Sequence, residues 1–425
     1  MINHDSPYPE CFRVRQLIER QAIDDVPASV RSALDTSVLP RVVKPGQTVA
    51  IAVGSRGIAN LKTIIAELVR YIDELGGKPF VVPAMGSHGG ATIDGQTTLL
   101  RSLGIDSSLG CEVRASMETV VVGKAEGDVD IHFDKVASDA DHIIIVNRVK
   151  PHTRLTGRHE SGLIKMLMIG LGNHLGASLY HQIFGRHQYR LDSLAGDIVP
   201  TIIDRMPIAL GLAIVEDAFD NTSVIEAVPP HHFLSREPEL LSIAKQRMTR
   251  LPFVEADLLI VDQMGKEFSG TGMDTNVIGR KGHDKHPGPD ETPKITEIYI
   301  RSLTKKSGGN ASGIGIAEYC HRQVVEAMDA EVTRINCVTA AHVSAGAIPL
   351  TFDSDRDVLN AVISQIGKEH AGEQKWIWIA NTLHVDELAC SRHFWDEAQR
   401  RDDLQILCDP SPLEFDQDGN LCPLT

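Results

Sequence analysis

Apolar residues along this chain come in short bursts, and the spacing of the polar residues between them changes from burst to burst. "QTVAIAVGS" (Gln47–Ser55) is nearly continuous Val, Ala and Ile, the pattern of a strand buried on both faces. "NLKTIIAELVRYIDELGG" (Asn60–Gly77) instead spaces its apolar residues by three and four. That spacing predicts an amphipathic helix, with Asn60 as its cap and Gly76–Gly77 as its stop. "PFVVPAMGS" and "TIDGQTTLLRSLG" repeat strand and helix, and "DHIIIVNRV" is another strand with a polar exit. Strand and helix alternating in this rhythm predict βαβ units and a largely parallel sheet. A helix-rich middle (Leu179–Arg205) leads to the strand "PIALGLAIVED". "PPHHFLSREPELLSIAKQRMTRLP" (Pro229–Pro252) then reads as a connection containing a helix. A second series begins with "ADLLIVDQMGKE" (Ala256–Glu267). "ITEIYIRSL", "INCVTAAH" and "WIWIAN" follow, with helices between them.

The expected architecture is α/β: two α/β domains with mainly parallel sheets and an active-site cleft between them. The boundary is placed near residue 245, giving domains 1–245 and 246–402. The tail, about 403–425, is expected as an irregular arm packing back on the first domain. A loop over 269–293, "SGTGMDTNVIGRKGHDKHPGPDETP", has no clear period; loops of that length are often functional or mobile.

The strand exits hold the candidate chemistry. In open parallel sheets ligands bind beyond the carboxyl ends of the strands. Three exits are polar or glycine-rich: "GSRGIAN", "GSHGGAT" and "NRVKPHTR". If their strands are neighbours, Arg56, His88, Arg148 and His152 share one rim. The turns at Ser55 and at Gly86–Ser87 allow close backbone approach, with N–H groups able to hold a phosphate. Neither is a P-loop or a dinucleotide fingerprint, and each is equally a tight connection. His88 and His152 suit proton transfer near neutral pH, or are surface residues. Lys165 stands inside "LIKMLMIGL", where an ammonium is costly unless it is paired or deprotonated; the alternative is a buried stem with its head in water. His174 closes the segment as a candidate metal ligand or a helix-terminal residue. Gln263 and Lys266, in "DQMGK", offer an amide and a cation for a carboxylate, or form a solvated turn. His283 and His286 read as solvent-exposed.

Composition narrows the classes. A net charge of −15 without a basic run disfavours nucleic acid. Seven scattered cysteines without a C-x-x-C pair suit reduced thiols in a cytoplasmic protein. The N-terminus does not read as a secretory signal, and no apolar run is long enough to span a bilayer.

Taken in order, "GSR" (Arg56), "MGSH" (His88), "KPH" (His152), "SGLIK" (Lys165), "GNH" (His174) and "QMGK" (Gln263, Lys266) resemble the motifs of the nickel-dependent lactate racemase family. The resemblance implies a racemase or epimerase of a 2-hydroxy acid. Hydride would pass to and from a nickel pincer nucleotide (pyridinium-3,5-bisthiocarboxylic acid mononucleotide nickel) through a 2-oxo acid intermediate. It implies covalent attachment of the cofactor through Lys165 and nickel ligation by His174. His88 and His152 would be the acid/base pair, with Arg56, Gln263 and Lys266 on the substrate. Cofactor-biosynthesis proteins would load the enzyme. Val53-Gly54-Ser55-Arg56 stands where lactate-specific members have Asp-His-Thr-Arg. The interval from His152 to Lys165 is also longer, and that from Lys165 to His174 shorter, which marks a divergent member. The alternatives are a dehydrogenase-like or metal-free acid/base enzyme on the same fold, and a non-catalytic small-anion-binding protein.

Overall fold

A computed structural model describes residues 7–55, 57–125, 128–184, 189–366 and 371–424. They form two compact units. Arg20–Met248 make one; the segment before Arg20 and the chain from Thr249 onward make the other. The units divide after Glu19 and after Met248. The first strand, β1 (Cys11–Gln16), belongs to the C-terminal unit. So does the tail, which was expected on the N-terminal domain.

The N-terminal unit is built on β2 (Thr48–Val53), β3 (Lys78–Pro83), the short β4 (Glu112–Val113), β7 (His142–Arg148), β8 (Ile208–Glu216) and β9 (Thr222–Val228). They pair in the order β4-β3-β2-β7-β8-β9, all parallel except β8 with β9. β5 (Thr119–Ala125) and β6 (Val129–Asp134) form a separate antiparallel ribbon. Alternate residues of β2 feed opposite cores: Ala50 and Ala52 face one cluster, Val49, Ile51 and Val53 the other. A sheet covered on both faces leaves no solvent-facing positions, which is why its strands read as unbroken apolar runs. The helix Leu61–Glu74 lays Ile64, Ile65, Leu68 and Ile72 on the second cluster. Asn60 does not cap it with its side chain: its backbone is left-handed (φ 59°) and its amide donates to Thr222 Oγ1 at 3.0 Å.

The C-terminal unit carries β10 (Glu255–Met264), β11 (Lys294–Leu303), β12 (Tyr319–His321), β13 (Leu350–Phe352), β14 (Trp376–Ile379), β15 (Glu387–Ser391) and β16 (Leu404–Ile406). Together with β1 they form one sheet in the order β13-β12-β11-β10-β14-β15-β1-β16. The pairs from β13 to β14 are parallel and those from β14 to β16 antiparallel. "INCVTAAH", expected as a strand, lies mostly in the helix Ala330–Thr339. The Asp329 carboxylate accepts from the N–H groups of Glu331 and Val332, and this cap outweighs the β-branched composition of the run.

The 269–293 loop has a core of its own, with Met273, Val277 and Ile278 buried. The buried Arg280 guanidinium donates to the carbonyls of Ile316 (2.8 Å) and Thr296 (2.9 Å) and to Glu318 (2.8 Å). One long cation thus replaces regular structure as the organiser of this segment. His283 and His286 are exposed, as their sequence context suggests. In the same unit Arg301 is enclosed by Asp262 (2.5 Å) and Asp355 (2.6 Å). Trp378 Nε1 donates to Asp262 at 2.7 Å. The tail closes this cluster. Leu421 N donates to Asp355 (2.7 Å), Leu424 N donates to Asp262 (2.9 Å), and the Leu421 carbonyl accepts from Arg301. No described helix is long and apolar enough to cross a membrane.

Candidate active site

β2 lies between β3 and β7, all parallel, so the exits of these three strands share one edge of the sheet. The condition for a common rim is met. Side chains link the turns. Ser55, after β2, places its Oγ 2.9 Å from Nδ1 of His88, after β3. That Nδ1 is also 3.0 Å from the Met85 carbonyl. Ser87 Oγ lies 3.3 Å from Nδ1 of His174. His88 and His174 are solvent-exposed, and Ser55 and Ser87 are half-buried. Arg56 lies outside the described residues. Arg148, expected on the rim, is engaged by the buried Glu216. The other carboxylate oxygen of Glu216 accepts from Ala59 N at 2.7 Å, so this pair ties the β2 exit to β7 and β8.

The Gly86 turn serves packing rather than phosphate. Gly86 is buried at φ +56°, its N–H donates to the Gly170 carbonyl (3.1 Å), and an added Cβ would lie 3.1 Å from that of Ala177 and 3.2 Å from the Ile169 carbonyl. Its N–H is therefore spent, and only glycine fits that backbone at that distance. Gln96, fully buried, donates to the Gly86 carbonyl at 3.1 Å and fixes the turn from beneath.

The segment bearing Lys165 and His174 is interrupted in two places. Leu163–Lys165 form a helical turn, and Met166–Gly170 a π turn in which Leu171 N donates to the Met166 carbonyl (2.9 Å). The helix Asn173–Phe184 follows, opened by Asn173 at φ 51°. In an unbroken α-helix, nine residues at about 100° each would set His174 opposite Lys165. The π turn and the left-handed Asn173 abolish that phase relation; such turns recur at functional sites. Residues 163, 164 and 166–171 are buried, whereas Lys165 is half-buried. Lys165 is therefore the one position of the run that reaches toward solvent, and burial does not by itself demand a neutral amine there.

Several supports carry no sequence motif. Asn147 donates to the Gly162 carbonyl (2.7 Å) and Glu237 accepts from Ile164 N (2.9 Å), holding the start of the Lys165 turn. Asn173, fully buried, donates to Asp134 at 2.7 Å and to the Ser116 carbonyl at 3.2 Å. Burial pushes the Asp134 carboxyl above its ordinary range, partly offset by the Ala137 N–H and the Asn173 amide. Glu160, 2% exposed, accepts from His152 N (2.9 Å) and from Lys245 Nζ (2.6 Å). The half-buried His152 ring turns its Nδ1 to the backbone N–H groups of Arg154 and Leu155, each at 3.0 Å.

With this geometry in hand, comparison with known proteins is direct. Residues 11–190 match the family described as lactate racemase N-terminal domain. This stretch is similar to a lactate racemase N-terminal domain. The resemblance carried by the ordered motifs is thereby borne out for the stretch 11–190, which includes His88, His152, Lys165 and His174. The fold of the chain is also similar to that of the lactate racemase apoprotein from Thermoanaerobacterium thermosaccharolyticum. The TM-score is 0.54 at 11% identity, over 88% of this chain and 99% of that one. At that identity the likeness speaks for the two-domain α/β fold alone. No curated protein matches the chain in sequence.

Gln263 and Lys266 lie outside the matched stretch, in the other unit. Gln263 is exposed at the end of β10. The Lys266 ammonium donates to the Gly270 carbonyl and to Asn336 Oδ1 (2.8 Å), so part of its hydrogen-bonding capacity is used within its own unit.

Proposed function

We propose that the chain is a racemase or epimerase of a 2-hydroxy acid that works with a nickel pincer nucleotide. The observation that carries this reading is the pair of contacts Ser55–His88 and Ser87–His174, which gathers three motif turns at one sheet edge within a stretch similar to the lactate racemase N-terminal domain.

The donor set fits such a group. A metal-binding imidazole nearly always has its second ring nitrogen hydrogen-bonded, and Nδ1 of the exposed His174 already faces Ser87 Oγ. Among the described residues no three His, Cys, Asp or Glu side chains gather to cage a metal. A single imidazole suits a metal that arrives with most of its own donors, and soft sulfur with imidazole suits nickel. Lys165, on the same segment, would anchor the group, and Ser55 and Ser87 would line it. When bound, the group supplies a hydride acceptor for the substrate Cα–H. The chain's own work is done on the hydroxyl proton and the carboxylate. His88 and His152 exchange the hydroxyl proton, a contribution of about 10²–10⁴-fold for a well-placed residue. Arg56, Gln263 and Lys266 are the cations and amide suited to the carboxylate, fixing it so that only the reacting carbon reorients. The partners follow from this chemistry: a small 2-hydroxy acid and the proteins that build and load the cofactor.

The test is production of the full chain together with cofactor-biosynthesis proteins. We expect bound nickel, an added mass on the peptide containing Lys165, and racemisation of at least one compound in a panel of 2-hydroxy acids. Lys165→Ala should lose the added mass and the activity together. Protein that takes up neither nickel nor added mass under those conditions overturns the reading in favour of metal-free acid/base chemistry.

A further inference from the structure

His88 and His152 are held by hydrogen bonds of opposite sense. The Met85 carbonyl, 3.0 Å from His88 Nδ1, can only accept. A bare Nδ1 there would set lone pair against lone pair, so this nitrogen carries the proton. Ser55 Oγ, at 2.9 Å, is compatible because a hydroxyl accepts as readily as it donates. His152 is the converse. Its Nδ1 stands 3.0 Å from Arg154 N and 3.0 Å from Leu155 N, and both can only donate. That nitrogen is bare, and the neutral ring carries its proton on Nε2.

We infer that the two histidines rest as opposite tautomers and divide the proton work: His88 accepts the substrate hydroxyl proton at Nε2, and His152 donates a hydrogen bond from Nε2–H to the substrate. The assignment rests on the reading of these two residues as the acid/base pair. In the transfer the substrate O–H bond breaks and an N–H bond forms at His88 Nε2. An alkoxide and an imidazolium result, and the Met85 carbonyl holds the imidazolium through Nδ1–H. His152 cannot mirror this step in its resting tautomer, because a second proton would have to sit on Nδ1 between two N–H groups. In their resting forms the two rings are therefore not equivalent, and only His88 is set to take a proton. Glu160 is a positioning residue in this scheme. Buried, and paired with Lys245, its carboxylate accepts the His152 backbone N–H at 2.9 Å and holds the turn that fixes the ring.

The test is nitrogen-15 NMR of histidine-labelled full chain without cofactor, with His88→Gln and His152→Gln used to assign the two rings. We expect a protonated Nδ1 at His88, and at His152 a bare Nδ1 with a protonated Nε2. A protonated Nδ1 at His152, or the same tautomer at both rings, overturns the assignment. Glu160→Gln is expected to mix the tautomers at His152 while leaving the His88 signals in place. If that variant does not fold, the unsubstituted chain alone decides. Because these spectra need neither cofactor nor turnover, the two readings fail separately. Opposite tautomers in a chain that never racemises count against the proposed function alone. Turnover in a chain whose two rings match counts against the division of labour alone.

Discussion

In the C-terminal unit, Arg301 is closed in by Asp262 and Asp355, with Trp378, Leu421 and Leu424 completing the cluster. In the N-terminal unit His88, after β3, and His174, at the start of a helix, stand exposed, each touched by one serine hydroxyl. Both regions concentrate polar side chains, but they use them differently. The first sinks full charges out of water and pairs them completely, which makes sense only as a device for holding a segment in place. The second leaves imidazoles at the surface and spends buried polar groups (Asn173, Glu160 and Gln96) on orienting them. Buried, mutually satisfied charge marks the tail anchor. Exposed rings over a buried polar scaffold mark the candidate site.

The sharpest way to break this comparison is at the rings. His88→Ala and His152→Ala should each lower turnover of cofactor-loaded protein by about 10²–10⁴-fold. Urea denaturation should show a stability change of about 1 kcal/mol or less, since each ring caps only a few local groups. Substituting the buried cluster should do the reverse. Arg301→Ala strands two carboxylates and should cost the C-terminal unit about 3–5 kcal/mol. The readout is clean because all three tryptophans, Trp376, Trp378 and Trp395, lie in that unit, so their fluorescence follows it alone. An Arg301→Ala protein with an unmoved fluorescence midpoint would erase the distinction. A smaller effect sharpens it. Asn173→Ala should cost about 1–3 kcal/mol by leaving Asp134 and the Ser116 carbonyl short of a donor. It should also weaken nickel retention in loaded protein, measured by metal analysis after dialysis, because the left-handed turn that sets His174 loses its clamp.

The rim was legible in the sequence for a simple reason. Strands buried on both faces announce themselves as apolar runs, and the polar residues at their ends stand out against them. Hence Ser55, His88 and His152 could be placed at strand exits, and the neighbouring order of β3, β2 and β7 supplied the rest. The supports were not legible. Glu160, Gln96, Asn147 and Glu237 act on partners distant in sequence, and a lone carboxylate or amide carries no signal of its own. Lys165 fits the alternative of a lysine reaching toward water: a helical turn can hold one position outward while its flanks are covered. "INCVTAAH" was misread because β-branched composition speaks before a cap does, and Asp329 stands six residues ahead of that run. The placement of β1 and the tail depends on pairings such as Cys11 with Ser391, which no local pattern encodes.

That last pairing has a temporal side. During synthesis Arg20–Met248 emerges as one continuous stretch and has every strand of its main sheet before β10 is made. The C-terminal unit has no such freedom. β1 is made before its partners β15 and β16, and the Arg301 cluster lacks its last hydrogen bonds until the backbone at Leu421 and Leu424 arrives. One unit is thus suited to folding as it is made, while the other is completed only after the segment holding Leu421 and Leu424 has been made.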